Sequence, residues 1–163
     1  MDVRRIRPDE GALLRSMRIR ALEDAPTAFG STIAQTLTYS MEVWEERALS
    51  NATSDTISGF FAEHGGEVVG LAGGFFEDRQ DMPSLISMWV APPARGTGVG
   101  EALIEAVVGW VRSLGATQMQ LWVTKTNVPA LGLYRRVGFI DTYDTQPLPS
   151  HPALTERRMV REL

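Results

Sequence analysis

In one segment of this sequence an apolar strand pattern stops at two prolines, and a glycine loop after them leads into a helical pattern. The strand pattern is SLISMWV, Pro92 and Pro93 follow it, and the loop ARGTGVG places glycines at positions 96, 98 and 100. Proline cannot donate a hydrogen bond to a neighbouring strand, so the strand should end there. The segment therefore predicts a strand, a tight loop and a helix in direct succession.

The glycine loop has the composition of an anion site. A helix N-terminus exposes unpaired backbone N–H groups and a partial positive charge. Glycines without a Cβ atom allow a phosphate to approach the backbone closely. Arg95 could add a charge-assisted contact. The alternative is a plain strand-to-helix turn, which one glycine would serve well but which does not require three alternating ones. The loop therefore predicts a pyrophosphate site.

The common nucleotide motifs do not fit this loop. A nucleoside triphosphate loop ends in Gly-Lys-Ser/Thr, and no lysine stands here. The dinucleotide fingerprint needs a third glycine or alanine where Glu101 stands. A kinase glycine loop would need H-R-D and D-F-G segments downstream, and both are absent. The phosphate ligand must therefore be of another kind.

The remaining patterns alternate between strands and helices. Helical spacing after Glu10 and after Ser40 predicts two helices before the glycine loop, and a turn at Gly65 and Gly66 joins two predicted strands. The helix after the loop carries a predicted inner stripe of Ala102, Leu103, Ala106, Val107, Trp110, Val111 and Leu114. The chain then continues as TQMQLWV, a helix with Asn127 as N-cap, FIDTYD, a proline-rich loop QPLPSHP and a weakly alternating ERRMVREL. This order predicts a mixed α/β fold.

Length and composition set further bounds. The 163 residues fit one domain, with a formal net charge of -4 and a pI near 5.2, which disfavours broad attraction to nucleic acid or anionic membranes. There is no cysteine, so a disulfide framework, a thiol nucleophile and a thiolate metal site are excluded, and no metal is expected. The first ten residues lack the apolar stretch of a secretory signal. We therefore expect a cytoplasmic protein.

Two motifs together resemble the GCN5-related N-acetyltransferase (GNAT) superfamily. The first resembles its acyl-CoA-binding pattern, Gln/Arg-x-x-Gly-x-Gly/Ala, through Arg95, Gly98 and Gly100. The second resembles the pattern Asn-x-x-Ala-x-x-x-Tyr-x-x-x-Gly-Phe, which is matched by Asn127, Ala130, Tyr134, Gly138 and Phe139. The resemblance is most specific between Met88 and Phe139 and extends from about Val3 to the C-terminus.

The resemblance implies a fold and a cofactor site. The fold would be one N-acetyltransferase domain over residues 1–163, an α/β (α+β) architecture with a mixed, mostly antiparallel sheet flanked by helices and a splayed strand pair. Acetyl-CoA would lie along that pair as cosubstrate. The implied contacts are the strand residues Met88, Trp89 and Val90, the loop residues Arg95, Gly96, Thr97, Gly98, Val99, Gly100 and Glu101, and the helix residues Asn127, Ala130 and Tyr134.

The resemblance also implies a general acid, whereas the base is open. Tyr134 would protonate the leaving CoA thiolate, the alternative being a tyrosine that only packs. Some relatives carry a glutamate five residues before the motif asparagine, where this chain has Trp122. Glu77 is a candidate base, and it could equally be part of a solvated acidic turn. A base acting through water would leave no mark in the sequence.

The implied reaction is acetyl transfer to an amine by direct attack. The acceptor would be a small primary amine, a protein N-terminus or a lysine, and a homodimer is left open. An acidic loop with Glu77, Asp78 and Asp81, expected to face the loop QPLPSHP across the acceptor mouth, favours a cationic amine. The alternatives are a non-catalytic CoA-binding sensor or interaction module and an enzyme of another class.

Overall fold

Seven strands form a single mixed sheet in the computed structural model, which describes residues 1–163. The strand order is β1-β2-β3-β4-β5-β7-β6, and every neighbouring pair is antiparallel except β4 and β5. The strands are β1 Asp2–Arg5, β2 Ile57–His64, β3 Glu67–Phe75, β4 Ser84–Val90, β5 Gln118–Thr124, β6 Ile140–Leu148 and β7 His151–Glu162. This confirms the mixed, mostly antiparallel sheet.

Five helices flank the sheet, one of which, Ile33–Leu37, was not predicted, and three of their ends lie at predicted capping residues. They are α1 Gly11–Asp24, α2 Ile33–Leu37, α3 Met41–Thr53, α4 Val99–Ser113 and α5 Val128–Arg136, with short 3₁₀ turns at Pro26–Ala28 and Pro92–Ala94. The Ser40 side chain caps α3, and the Asn127 side chain caps α5. Gly115, with φ of 90°, follows the end of α4. The helix boundaries are thus set by local side-chain and backbone chemistry.

The sheet separates two hydrophobic cores. Adjacent residues of one strand point to opposite faces, so Phe60 packs on the α4 and α5 side and Phe61 on the α1 and α3 side. The predicted inner stripe of α4 is too narrow. Ile104 and Val108 are fully buried with Leu103, Val107 and Val111. A helix lying flat on a wide sheet buries a broader face than a stripe along one line.

A bulge in β4 changes which face its side chains occupy. Leu85 packs in the core beside α4, but Trp89, four residues later, packs in the core beside α1. A regular strand would place both on one face. The register with β3 shifts between Leu71 and Gly73, and Ser87 adopts a positive φ of 57°. The extra residue of a β-bulge accounts for the switch.

The C-terminal hairpin differs from the sequence prediction. The proline-rich loop QPLPSHP was expected to span residues 146–152, but β6 continues to Leu148 and β7 begins at His151. Only Pro149 and Ser150 form the turn. Pro147 is tolerated because β6 is the edge of the sheet, where no further strand needs its missing N–H group. The turn also does not line the cleft described below: the Ser150 hydroxyl donates to the Phe29 carbonyl at 2.5 Å.

Candidate active site

A deep cleft opens where β4 and β5 diverge. The two strands are paired in parallel at a single position, Ser84 with Gln120, near the start of each strand. Beyond that pair they splay apart, as the resemblance predicts, and the cleft between them has a volume of about 1270 Å³. One side is lined by β4 and the other by β5, and the glycine loop of residues 95–100 and the first turns of α5 close one end.

The three glycines of the loop serve two different purposes. Gly96 and Gly98 have φ values of 74° and 90°, and a Cβ atom on either would meet no protein atom within 4 Å. Their conformation therefore requires glycine, and the space beside them is open. Gly100 is different, because a Cβ atom there would lie 2.9 Å from the Leu133 side chain and 3.3 Å from that of Met88. Gly100 is needed for close packing.

The start of α4 offers unpaired donors to this open space. Gly98 is the N-cap and has no side chain to satisfy the first N–H groups of the helix, while its carbonyl accepts from Ala102 N at 3.0 Å. Unsatisfied N–H groups with the positive end of the helix dipole favour an anion. Glu101 in the first turn is ion-paired with Arg136 at 3.5 Å. The loop therefore retains its capacity to bind an anion through the backbone.

Arg95 is already engaged within the chain. Its guanidinium is ion-paired with Asp24 at the end of α1, and its Nε donates to the Val90 carbonyl at 2.9 Å. The Trp89 indole also donates to Asp24, at 2.8 Å. Burial would raise the pKa of Asp24, but these hydrogen bonds outweigh burial and hold it below its ordinary value. Arg95 thus ties the loop to α1, and its contact with a phosphate stays a prediction.

Most of the residues predicted to contact the cofactor line the cleft. Thr97 and Val99 do not: the Thr97 hydroxyl donates to the Ala94 carbonyl at 2.6 Å, and Val99 is buried in the core. Only the backbone groups of these two residues are available to bind a ligand at the loop. The lining members of the predicted set are Met88, Trp89, Val90, Arg95, Gly96, Gly98, Gly100, Glu101, Asn127, Ala130 and Tyr134.

Asn127 combines a structural contact with a free donor. Its side-chain oxygen accepts from Ala130 N at 3.3 Å and so caps α5. The side-chain nitrogen makes no hydrogen bond within the chain and lies at the cleft. An amide nitrogen in that position can donate to a carbonyl of a bound molecule. The N-cap role and the binding role predicted from the sequence are therefore compatible.

Tyr134 is both a packed ring and a hydroxyl on the cleft. The residue is 7% exposed, and its ring lies edge-on to Phe139 with centroids 6.0 Å apart. The hydroxyl makes no hydrogen bond within the chain and still reaches the cleft. Burial raises the pKa of the Tyr134 phenol above its ordinary value, so the group keeps its proton at neutral pH. A protonated phenol in the cleft can act as a proton donor.

Two glutamates occupy contrasting places on the cleft. Glu77, the predicted base candidate, is exposed in the loop between β3 and β4, and Asp81 of the same loop also lines the cleft. Glu156 on β7 is 8% exposed, stands opposite Thr124 of β5 and accepts a hydrogen bond from the Gln146 side chain at 2.6 Å. Sequence reasoning missed Glu156, because the alternation of ERRMVREL gives no sign that its first residue faces a cleft.

The N-terminal part of the chain supplies a further wall that sequence reasoning also missed. Arg18 and Asp24 of α1 line the cleft, together with residues of the segment 25–30. The Arg18 guanidinium donates to the Ser87 hydroxyl of the β4 bulge at 2.5 Å. The Thr124 hydroxyl of β5 donates to the Thr27 carbonyl at 2.6 Å. Segment 25–30 is therefore fixed to β5, across the cleft from β4.

Two further features bear on the kind of site. No group of three or more His, Cys, Asp or Glu side chains is arranged to hold a metal ion. None of the helices combines the length and the apolar character needed to span a membrane.

Comparison with known proteins agrees with the geometry. The model of the acetyltransferase (GNAT) family matches residues 19–139. A mycothiol acetyltransferase from Renibacterium salmoninarum is 27% identical over 150 residues, which is 90% of this chain and 42% of that protein. The chain spans less than half the length of the curated relatives that it matches.

Solved structures share the architecture. A GNAT-family acetyltransferase from Streptococcus pneumoniae superimposes with a TM-score of 0.82 at 21% identity, covering 99% of both chains. The putative acetyltransferase yncA from Salmonella typhimurium, solved with acetyl-CoA, gives a TM-score of 0.80 at 19% identity over 100% of this chain and 94% of that one. These likenesses concern the fold, and the family match covers well over half of the residues. The chain therefore belongs to the GNAT acetyltransferase family.

Proposed function

We propose that this chain, as one domain of residues 1–163, is an acetyl-CoA-dependent N-acetyltransferase. The observation that carries the proposal is the cleft between the splayed strands β4 and β5, which ends at an open glycine loop on the N-terminus of a helix. The family match and the acetyl-CoA named with the yncA structure support the same cosubstrate. The domain boundaries, the acceptor and the site residues are parts of the proposal.

The residues present fit an acyl-CoA molecule. The glycine loop offers unpaired N–H groups and open space for a pyrophosphate. Beyond Ser84, the edge of β4 that faces the cleft has no strand partner, so its backbone groups can pair with an amide-bearing arm as a strand would. Asn127 supplies a side-chain donor on the opposite side of the cleft. Together these groups would hold phosphates at one end and an extended polar arm along the strand.

The chain's own groups can manage the protons of the reaction. Bound acetyl-CoA supplies an acetyl thioester, which an amine can attack directly. An alkyl ammonium with a pKa of about 10 must first lose a proton, and in this proposal the cleft carboxylates Glu156 and Glu77 are the candidates to receive it, directly or through water. The Tyr134 hydroxyl would give its proton to the departing thiolate, and the proton that the attacking nitrogen loses as the amide forms would restore the phenol. With no cysteine in the chain, a cysteine-bound acyl intermediate has no place in this scheme.

The acceptor is a small amine or a peptide amine in this proposal, and the protein acts in the cytoplasm. The rival is a CoA-binding module without catalysis. The Tyr134 hydroxyl favours the enzyme, because it lies on the cleft wall with no hydrogen-bond partner in the chain and is therefore available to donate a proton.

The test combines binding and turnover. Acetyl-CoA at 100 times its Kd should raise the melting temperature by roughly 5–10 °C. Incubation with a panel of amines should release free CoA thiol, and mass spectrometry should show one acetylated amine class. Gly98→Asp places a carboxylate at the phosphate site and should abolish the shift. Gly115→Asp is the matched control, because Gly115 has the same φ of 90° and open surroundings at the other end of α4.

The outcomes separate the alternatives. A melting shift that Gly98→Asp removes and Gly115→Asp preserves, with no turnover of any amine, would assign the chain to the binding module. An unchanged shift in folded Gly98→Asp would contradict the phosphate site. The absence of any shift with acetyl-CoA in the parent protein would contradict the proposal as a whole.

A further inference from the structure

Arg18 is a cation on the cleft wall that has no acidic partner. It lies on α1, and its only hydrogen bond is the one from Nη2 to the Ser87 hydroxyl at 2.5 Å. None of the ion pairs of the chain includes it. The other two cleft arginines are both paired, Arg95 with Asp24 and Arg136 with Glu101. Arg18 is therefore the one cleft arginine without a carboxylate.

The surroundings of Arg18 make this lack of a partner costly. The guanidinium lies over the Phe29 ring, 5.3 Å from its centroid. Burial, together with the like charge of Arg47 from α3, lowers the pKa of Arg18 to about 10, so the group remains a cation at neutral pH. Arginines that are largely withdrawn from solvent are normally paired. An unpaired arginine on a cleft wall is suited to binding an acidic group of a ligand.

The remaining donors of Arg18 have no partner in the chain and are not fully buried. Nε and Nη1 make no hydrogen bond within the chain, yet neither is sealed from solvent. The residue is half-buried and lines the cleft. A purely structural arginine would direct these donors to backbone carbonyls, as Arg5 does with the carbonyls of Asn51 and Ser54. The free donors of Arg18 thus remain for a ligand.

The position of Arg18 assigns it to the end of the cleft away from the phosphates. Helix α1 runs beside β4, with Asp24 against Trp89 and Arg18 against Ser87. Asp24 is held by Arg95 of the glycine loop. Arg18 lies six residues back along the helix, which is about 9 Å. It stands at the β4 bulge, next to the residues Met88, Trp89 and Val90 that would carry the arm of the cosubstrate.

We propose that Arg18 binds the carboxylate of the acceptor, so that the acceptor is an amino acid or another small amine bearing a carboxylate. This inference rests on the proposed acetyltransferase function and names its substrate class. A guanidinium is the side chain best matched to a carboxylate. The acceptor's ammonium end would lie among the cleft carboxylates, which include Glu77 and Glu156. Carboxylates outnumber arginines on the cleft wall, so the cleft as a whole favours the ammonium of the acceptor, and its carboxylate needs the local cation that Arg18 supplies. The carboxylates are Asp24, Glu77, Asp81, Glu101 and Glu156, and the arginines are Arg18, Arg95 and Arg136.

The first arm of the test measures binding without acetyl-CoA. N-acetyl derivatives of the twenty amino acids, which are the products expected of the reaction, are compared by calorimetry with the matching carboxamides. The parent protein should bind at least one acid about 10- to 100-fold more tightly than its amide, the range for a charge-assisted hydrogen bond. Arg18→Gln should reduce that preference to within about twofold, and Arg18→Lys should retain part of it. Arg15→Gln, on the same helix but outside the cleft, should behave as the parent.

The second arm measures kcat/KM for free amino acids and their carboxamides. Arg18→Gln should lower the value for the acids about 10- to 100-fold and leave that for the amides within about twofold, with an unchanged melting shift on acetyl-CoA. Equal binding and equal use of acid and amide by the parent would overturn the inference, as would an acid preference that persists in Arg18→Gln. Loss of the acetyl-CoA shift in the parent would instead overturn the proposed function, while the binding arm would still decide the role of Arg18.

Discussion

The two halves of the cleft are built in different ways. The half at the glycine loop is made largely of one continuous segment, from Met88 to Glu101, and offers mostly backbone groups. The half at the β4 bulge is assembled from side chains far apart in sequence, among them Arg18 of α1, Gln120 of β5 and Glu156 of β7. The first half is suited to binding one constant ligand. The ligand preference of the second half can be altered by single substitutions that leave the first half intact.

The difference has a physical basis. Backbone N–H groups can be aimed only by φ and ψ, so the loop needs glycine at positions 96 and 98, where φ is positive. Side-chain donors can be aimed from any element that reaches the cleft. A backbone site therefore leaves a local sequence pattern, and a side-chain site leaves none.

The largest effect is expected from Tyr134, whose hydroxyl reaches the cleft. Tyr134→Phe keeps the edge-on packing with Phe139 and removes only the hydroxyl group. The turnover number should fall about 10- to 1000-fold while the acetyl-CoA melting shift stays unchanged. Because burial raises the pKa of Tyr134, the parent should show no alkaline loss of activity from this group below about pH 10.

The control is Tyr143→Phe, since Tyr143 is 84% exposed on β6 and does not line the cleft. It should leave both the turnover number and the melting shift unchanged. Full activity in Tyr134→Phe would assign the tyrosine a packing role alone.

A smaller effect on kcat/KM is expected from substitution of the two candidate bases, and it should differ between them. Glu156 is buried on the wall of the cleft, and Glu77 is exposed. Because a base works best where water is excluded, Glu156 is the better candidate. Glu156→Gln should lower kcat/KM about 10- to 100-fold, and Glu77→Gln less than about threefold. Steady-state rates for both variants with the same amine provide the measurement. The reverse order would support Glu77, and two small effects would indicate a base acting through water.

Features of the structure that depend on neighbouring residues could be predicted from the sequence, and features that depend on distant residues could not. The glycine loop, the cap at Asn127 and the turn at Gly65 and Gly66 were predictable, because each depends on a few neighbouring residues. The splay between β4 and β5 was implied only by resemblance, since nothing in either strand's own pattern reports a missing partner.

The errors came from tertiary context. Pro147 suggested a loop, but an edge strand accepts proline, and strand order cannot be obtained from a local pattern. The close packing of Gly100 against Leu133 of α5 could not be predicted either, and its contact with a phosphate stays a prediction. Arg18 and Glu156 each lie in segments whose patterns only indicate a helix and a strand. Their chemistry depends on which elements the fold brings beside them.

The smallest expected effect concerns the acidic loop of residues 77–81, and its dependence on salt should distinguish it from the effect of Arg18. Glu77 and Asp81 are exposed, so their field should favour an acceptor with an additional positive charge only about two- to fivefold at low ionic strength. The preference, measured as the ratio of kcat/KM for lysine and norleucine, should disappear in 0.5 M salt and in the variant with Glu77, Asp78 and Asp81 neutralised together. The carboxylate preference assigned to Arg18 should survive the same salt, because a partly buried pair is screened much less. If salt removed both preferences equally, the acceptor's carboxylate would be held at the surface, and the contrast between a buried anion site and an exposed acidic loop would fail.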